Sequence, residues 1–233
     1  MIKIDIWSDI VCPFCYIGKR NLEAALEQFE SGDDVDITWR SFELSPDQKT
    51  DPSQSMIENL ASSKGWTVDY ARKVNQQVAQ TAKGVGLEYR LEETFPVNTF
   101  NAHRLLHLAE KHGLQTEMKE RLFAANFTLV ENVDDPETLV RIASEVGVPE
   151  SEVRELVENE DLYRDEVKAD IQEARRVGVQ GVPFFVFNSK YAVSGAQPPQ
   201  AFLEVLQKVE QEMAEEEMAS NNGAAFCEPG GDC

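Results

Sequence analysis

The chain has 233 residues, of which 42% are hydrophobic and 27% charged, and its 42 acidic and 22 basic side chains give a formal net charge of −20. Such a composition is typical of a folded protein, and the large negative charge argues against nucleic acid and anionic membranes as partners. With no run of about 18 apolar residues and no secretion signal at the N-terminus, we expect a cytoplasmic protein.

The N-terminal segment predicts a β-α-β unit. Residues 2–7 alternate apolar and polar side chains, which is the period of a β-strand. A helix is predicted over residues 13–30, because apolar residues recur there every three to four positions until a polar stop. A second alternating strand follows over residues 35–41.

A long helical block and a second β segment complete the chain. Residues 181–187 and 191–195 predict a β-hairpin, and Pro199 opens a last helix that we expect to end near residue 213. Residues 214–233 are acidic and then small and polar, which is typical of a mobile tail. The helices of the block are predicted at residues 53–63, 67–83, 98–112, 115–130, 136–146, 150–159 and 162–177.

This order of elements predicts an α/β fold with a helical insertion. The arrangement β-α-β, helices, β-β-α closes into one layer only if its first and last segments share a sheet. We therefore predict that residues 1–48 and 166–213 form the sheet domain, that residues 49–165 form the inserted helical domain, and that residues 214–233 form a flexible tail.

The four cysteines are unevenly placed: Cys12 and Cys15 lie near the N-terminus, and Cys227 and Cys233 lie in the last seven residues. This pattern indicates reactive or metal-binding thiols in a reducing compartment, not a disulfide-stapled secreted domain. At the start of a helix, free N–H groups and the helix dipole stabilise a thiolate, so Cys12 is predicted to attack and Cys15 to resolve the mixed disulfide. The alternative is half of a zinc site.

Four segments together resemble the DsbA-like thioredoxin superfamily, and within it the FrnE-like branch, which is akin to 2-hydroxychromene-2-carboxylate isomerases. The resemblance covers about residues 1–213 and implies a thioredoxin fold with an inserted helical domain and cytoplasmic disulfide chemistry. The segments are Ser8–Gly18 with its Cys-Pro-Phe-Cys motif, Trp39–Pro46, Asn98–Leu105 and Gly178–Phe187.

The resemblance also implies the roles of two residues before the third strand. Pro183 becomes a cis-proline that faces the cysteines, and Val182 presents its backbone to a bound substrate strand. From the sequence alone, an ordinary trans proline at a strand start would be the default, because cis is only about 5–6% of X–Pro bonds.

Further substrate contacts are predicted at Pro13 and Phe14, between the cysteines, and at Asn98 and His103 in the family-like helical segment. An exposed or core-satisfied role for His103 stays open. Phe14 stands where periplasmic relatives have histidine, so we expect the helix terminus alone to lower the pKa of Cys12, to between about 4 and 7.

Two further groups have alternative interpretations. Asp9, three residues before Cys12, either relays a proton from Cys15 or is a solvated turn residue. His103 and His107 lie four apart on a predicted helix, a spacing that can serve a metal, but no carboxylate pattern accompanies them and we predict no metal.

The leading functional hypothesis is a thiol–disulfide oxidoreductase or isomerase that acts on protein disulfides or small thiols, with no bound cofactor and with glutathione as a possible co-substrate. One alternative is a glutathione-dependent isomerase or kappa-type glutathione transferase, although such relatives carry serine where Cys12 stands. Another is a four-cysteine metal-binding or redox-sensing protein. Either a monomer or a homodimer is compatible with the sequence.

The tail cysteines form a possible second redox pair. Five residues separate Cys227 from Cys233, and Pro229-Gly230 between them favours a tight turn. A flexible tether of about 15 residues reaches on the order of 20 Å, so Cys227 and Cys233 can shuttle electrons to the main pair. An inert tail and a metal-ligand pair are the alternatives.

Overall fold

The structure, a computed structural model, describes residues 1–223. Within this range the chain forms one four-stranded sheet with the order β2-β1-β3-β4. Strand β1 runs parallel to β2 and antiparallel to β3, and β4 is antiparallel to β3. The first and last segments therefore share a sheet, and the predicted α/β fold is confirmed. The strands are β1 (Ile2–Ser8), β2 (Val35–Ser41), β3 (Phe184–Phe187) and β4 (Tyr191–Ser194).

Nine α-helices surround this sheet in the described range, seven of them between β2 and β3. A single π-helical turn, Ala125–Leu129, continues the fifth helix. Capping residues and breakers explain several boundaries; Ser55, for example, accepts the N–H of Ile57, and Gly65 ends that helix at a φ of 67°. The helices are α1 (Pro13–Leu26), α2 (Met56–Lys64), α3 (Val68–Lys83), α4 (Phe100–Lys111), α5 (Gln115–Ala124), α6 (Pro136–Val146), α7 (Glu150–Glu158), α8 (Arg164–Val177) and α9 (Pro199–Gly223).

The two faces of the sheet bury different elements. The alternation of β1 directs its isoleucines to the face covered by α1 and α9, and Trp7 to the opposite face, where Ala174 of α8 packs. Antiparallel pairing places Ile6 opposite Phe185, so both strands contribute to one core. Its buried residues are Ile2, Ile4, Ile6, Leu22, Ala25, Phe29, Trp39, Phe185, Phe187, Val193, Phe202, Leu206 and Val209.

The helical half has a core of its own, built mainly from α4, α5, α6 and α7. Ile10, in the turn after β1, packs into this core and joins it to the sheet half. Helices α2 and α3 form a smaller separate cluster of Ile57, Ala61 and Ala71. The larger core includes Leu105, Leu106, Met118, Leu122, Leu139, Ile142, Val153 and Leu156.

Side chains from the helical half cover the outer edge of β2. The amide of Gln115 accepts the Trp39 N–H at 2.8 Å and donates to the Trp39 carbonyl at 3.0 Å, as a neighbouring strand would. Two residues further along, the Ser41 N–H donates to Asp170 of α8 at 2.8 Å. An open strand edge invites pairing with another chain, and these side chains occupy it instead.

Two predicted helix ends are wrong. Helix α1 ends at Leu26, not at residue 30, because the N–H groups of Gln28 and Phe29 bond only three residues back, to Ala25 and Leu26. Helix α9 continues to Gly223, so the expected helix end at 213 and the expected start of a flexible tail at 214 are wrong. The glutamate- and alanine-rich segment after Met213 has high helix propensity even where its described side chains are exposed.

The predicted domain boundary at residue 165 falls within the first turn of α8. This helix packs against both β2 and α4, and thus belongs to the contact between the two halves. Cys227 and Cys233 lie outside the described residues. None of the described helices is both long and apolar enough to cross a membrane.

Candidate active site

The two N-terminal cysteines lie where β1 passes into α1. Cys12 is the N-cap residue of α1, Pro13 takes the first helical position, and the Cys15 N–H donates to the Cys12 carbonyl at 3.0 Å. Both are free thiols in this structure. Cys12 retains 4% of its surface exposed and Cys15 none, so Cys12 is the outer sulfur. Attack by Cys12 and resolution by Cys15 require this order of exposure.

The loop before β3 lies opposite Cys12. The Val182–Pro183 peptide bond is cis, as the family resemblance implied. The Cys12 thiol donates to the Val182 carbonyl at an Sγ–O distance of 3.5 Å. Gly18 permits the close approach of this loop to α1, because a Cβ there would meet Pro183 Cγ at 3.0 Å and the Phe185 ring at 3.2 Å.

Aromatic rings of the helical half pack beside the cysteines. Tyr16 stacks on Phe123 with ring centres 4.9 Å apart, and Tyr89 stacks on Phe127 at 4.8 Å. The Tyr89 hydroxyl donates to the Pro13 carbonyl at 2.8 Å, and burial raises the pKa of Tyr89, which keeps this donor protonated. Sequence reasoning missed Tyr89, because it is an isolated aromatic in a polar segment without periodicity.

A buried carboxylate lies on the inner side of the site. His103 Nε2 is 3.3 Å from Asp9 Oδ1, and the Leu44 N–H donates to Asp9 Oδ2 at 2.8 Å. Burial raises the pKa of Asp9, but hydrogen bonds from His103, Leu44 and Thr99 outweigh it and leave the pKa lowered. Burial also lowers the pKa of His103. The pair is therefore a carboxylate and a neutral imidazole that donates through Nε2.

Lys119, which sequence reasoning missed, completes this inner side. Its side chain is fully buried on α5, and Nζ donates to the Ser8 carbonyl at 3.4 Å. The Ser8 hydroxyl and His103 Nδ1 have no hydrogen-bond partner in the described part of the chain. We call Ser8, Asp9, His103 and Lys119 the Asp9 cluster. A lysine in a helical pattern gives no sign of burial, so only the fold places Lys119 here.

The expected pKa of Cys12 is wrong for the reduced site. The hydrogen bond with the Cys15 sulfur, burial, and the negative charges at Cys15 and Asp9 raise the pKa of Cys12 well above its ordinary value. The backbone N–H of Cys15 lowers it but does not compensate. The expectation from the helix terminus considered the stabilising N–H groups and left out the burial and the acidic neighbours.

The other predicted site residues divide into two groups. Phe14 is 45% exposed beside Cys12, as a substrate contact must be, and its role stays a prediction. His103 is fully enclosed and bonded to Asp9, so its predicted contact with substrate is wrong. The Asn98 amide donates to the Gln48 carbonyl and its oxygen accepts the Phe100 N–H, so it is occupied within the fold. Substrate binding by Asn98 stays a prediction without support from these contacts.

A groove of about 450 Å³ adjoins the loop that carries Val182. Its apolar floor includes Phe42 and Val179, and α8 contributes Lys168 and Arg175, neither of which has an ion-pair partner among the residues described. Glu43 lines the same groove, and burial together with the charges of Asp9 and Asp47 raises the pKa of Glu43 to about 7.

His103 and His107 share one face of α4, as their spacing predicted, but they bind different carboxylates. His107 Nε2 lies 3.1 Å from Asp170 Oδ2 and 3.2 Å from the Ser41 hydroxyl. Among the residues described, no three His, Cys, Asp or Glu side chains are grouped to hold a metal ion.

Comparisons with known proteins agree with this geometry. The family model of the DSBA-like thioredoxin domain matches residues 3–207. A crystal structure of a probable DsbA oxidoreductase from Streptomyces coelicolor is 38% identical, with a TM-score of 0.86 over 91% of both chains. The uncharacterized protein YwbO of Bacillus subtilis is 28% identical over 79% of this chain and 86% of its own. A 2-hydroxychromene-2-carboxylate isomerase shares the fold at 12% identity, with a TM-score of 0.63 over 93% of this chain and 98% of its own.

Proposed function

Because the chain belongs to the DSBA-like thioredoxin family and is a thiol–disulfide oxidoreductase, we propose that its reaction proceeds through Cys12 and Cys15 by way of a mixed disulfide. The observation that carries the proposal is the arrangement of three groups. Cys12 occupies the N-cap position of α1, the Cys15 sulfur is buried one turn further on, and the Val182 carbonyl accepts the Cys12 thiol at 3.5 Å.

The exchange has two balanced steps. The Cys12 thiolate attacks one sulfur of a substrate disulfide, whose S–S bond breaks, and the second substrate sulfur leaves as a thiolate. The Cys15 thiolate then attacks Cys12, the substrate leaves as its second thiolate, and a Cys12–Cys15 disulfide forms. Two electrons pass from enzyme to substrate, and an external thiol must reduce the enzyme again.

Several features support binding of an extended substrate beside this dithiol. In the free enzyme the Val182 carbonyl accepts the Cys12 thiol, and a substrate strand that pairs with Val182 would compete for it and release the sulfur. Phe14 and Leu44, 45% and 48% exposed, provide apolar contact on the adjoining surface. A hydrophobic segment of a protein that contains a disulfide fits these groups.

We place the enzyme in the cytoplasm, where the cysteine pattern predicts reduced thiols, and where reduction or isomerisation is favoured over net oxidation. Glutathione remains the proposed small co-substrate. The groove beside Val182 supplies two cations, Lys168 and Arg175, that suit the two carboxylates of this tripeptide. Reversing both charges should raise the KM for glutathione and leave the rate with a neutral disulfide unchanged. Lys73→Glu, at an exposed position of α3, is the control for charge reversal away from the groove.

The central test is catalysed reduction of insulin with dithiothreitol as electron source. Cys12→Ser should lower the rate to the uncatalysed background, because Cys15, the other described thiol, has no exposed surface. Serine at both Cys227 and Cys233 should leave substantial activity. A Cys15→Ala variant should retain substrates on Cys12, where mass spectrometry identifies them. Full turnover by Cys12→Ser would exclude the mechanism.

A further inference from the structure

The environment of Lys119 is unusual for a lysine. Its side chain has no exposed surface, and Nζ lies 5.0 Å from the ring centre of Phe123 and 5.6 Å from that of Trp39. The Ser8 carbonyl at 3.4 Å is a weak partner, and no carboxylate of the described residues lies within ion-pair distance. An ammonium buried in this way costs several kcal/mol, so a structural role alone explains it poorly.

A second buried lysine shows how the cost of burying an ammonium group is ordinarily offset by carboxylates. Lys19 of α1 is 5% exposed, and it pairs with Glu23 and, at 2.7 Å, with Glu120. Both lysines are buried beside α5, yet among the described residues only Lys19 is neutralised by carboxylates. The two cation–π contacts of Lys119 and its weak hydrogen bond leave its charge without a carboxylate partner among the described residues.

The groups that face Lys119 identify its counter-charge. Burial lowers the pKa of Lys119 to about 8, and the negative charge of Cys15 opposes this effect more than that of Asp9 or Cys12. His103, from α4, is the remaining titratable neighbour and is neutral. Lys119 thus can hold or release a proton near neutral pH, and a Cys15 thiolate is its principal counter-charge.

Asp9, the relay expected from the sequence, is poorly suited to take a proton. Its carboxylate already accepts hydrogen bonds from His103, Leu44 and Thr99, and the lowered pKa of Asp9 makes it a weak base. The Asp9 carboxylate is therefore an unfavourable acceptor for the proton of a thiol.

We propose that Lys119 takes the proton of the Cys15 thiol and holds the resulting thiolate as a buried ion pair while the mixed disulfide is resolved. The inference rests on the proposed exchange mechanism. The S–H proton of Cys15 moves to the neutral Lys119 amine, and the thiolate attacks Cys12. The new Cys12–Cys15 bond takes up the electron pair of the thiolate, and the leaving substrate thiolate carries the negative charge away. Lys119 then returns its proton to solvent, directly or through the leaving thiolate.

The two steps can be separated with dithiodipyridine, a neutral small disulfide. All stopped-flow measurements use chains with serine at Cys227 and Cys233, because these thiols would also react with the probe. Attack by Cys12 then releases one pyridinethione, and resolution by Cys15 releases a second, so stopped-flow absorbance follows both. In Lys119→Met the second phase should be at least tenfold slower at pH 7, and its pH midpoint should rise by about one to three units. The first phase should change less. Lys19→Met, which removes the paired buried lysine, should leave the pH midpoint of the second phase in place.

A measurement on the unmodified protein tests the inference without depending on whether the variants fold. Coupling is reciprocal, so the pH midpoint of Lys119, followed by NMR of its side chain, should fall when Cys12 and Cys15 form their disulfide. If the pH midpoint of Lys119 does not change, or if the second phase keeps its wild-type pH profile in Lys119→Met, the inference about Lys119 is wrong, while the proposed mechanism stands. Release of only one pyridinethione by the enzyme with serine at Cys227 and Cys233 would overturn the proposed mechanism, and the inference with it.

Discussion

Two buried polar clusters join the helical half to the sheet, and each contains an aspartate bonded to a histidine of α4. In the Asp170 cluster, which we define as Arg40, Ser41, His107 and Asp170, every buried polar side-chain atom has a partner within the described residues. In the Asp9 cluster, the Ser8 hydroxyl and His103 Nδ1 have none in that range, and Lys119 lacks a carboxylate.

This difference in hydrogen bonding indicates a structural role for the Asp170 cluster and a functional role for the Asp9 cluster. Buried polar groups are nearly always satisfied, and a fully satisfied network contributes to stability and to a unique packing. The incompletely satisfied cluster is the one that adjoins Cys12 and Cys15, where charge must appear and disappear during exchange. Four substitutions test this division, two of which should act on stability in opposite directions.

The largest effect is expected at Asp170. Asp170→Ala leaves the Ser41 N–H and the His107 ring without their buried acceptor, and should lower the free energy of unfolding by about 2 to 4 kcal/mol. Chemical denaturation measures this loss. Insulin reduction per folded molecule should stay near wild type, and a selective loss of activity at unchanged stability would contradict the division.

Lys119→Met should change the free energy of unfolding in the opposite direction to Asp170→Ala. The pKa of Lys119, about 8, lies below the ordinary lysine value of 10.5. The folded state therefore binds the proton of Lys119 more weakly than the unfolded state does. At pH 7 this difference favours unfolding, so buried Lys119 destabilises the fold. Its replacement by an apolar side chain should raise the free energy of unfolding by about 1 to 3 kcal/mol while turnover falls. Lower stability in the variant would indicate a structural lysine.

Glu43, which borders the Asp9 cluster, should produce a smaller effect that depends on pH. The pKa of Glu43, about 7, is raised, so the folded state binds more protons than the unfolded state between about pH 4.3 and 7. Ionised Glu43 consequently destabilises the fold at and above neutral pH. Glu43→Gln should stabilise by about 1 kcal/mol at pH 8, allowing for its partial exposure, and have little effect at pH 5. Equal effects of Glu43→Gln on stability at pH 5 and pH 8 would contradict the raised pKa of Glu43.

Gly18→Ala should change stability least and yet affect the reaction. Alanine favours the helix by about 1 kcal/mol, but its Cβ must displace Pro183 and Phe185, which lie at 3.0 and 3.2 Å from it. The gain in helix propensity and the cost of displacing Pro183 and Phe185 nearly cancel, so the melting temperature should change little. Because Pro183 moves away from α1, the rate of mixed-disulfide formation should fall several-fold. An unchanged rate of mixed-disulfide formation in Gly18→Ala would contradict this explanation.

Local periodicity and capping chemistry were enough to predict most of the elements. The segment around Cys12 and Cys15, the helices α3 and α6, and the hairpin of β3 and β4 carry their patterns within a few consecutive residues, and these predictions are confirmed. The family resemblance added the cis bond before Pro183. The end of α9 could not be predicted in this way, because a solvated acidic segment shows no apolar stripe.

Tertiary structure decided what the polar residues do. His103 and His107 have the same type and the same helix face, yet one faces Asp9 and the other Asp170, from elements distant in sequence. Lys19 and Lys119 are alike in the sequence. The fold places Glu120 beside Lys19, in addition to Glu23 of its own helix, and packs Lys119 against the Trp39 and Phe123 rings, where Cys15 is its strongest negative neighbour. The sequence by itself determined where the dithiol lies and on which helix. The protonation of the groups around it depends on burial and on partners that the folded chain alone brings together.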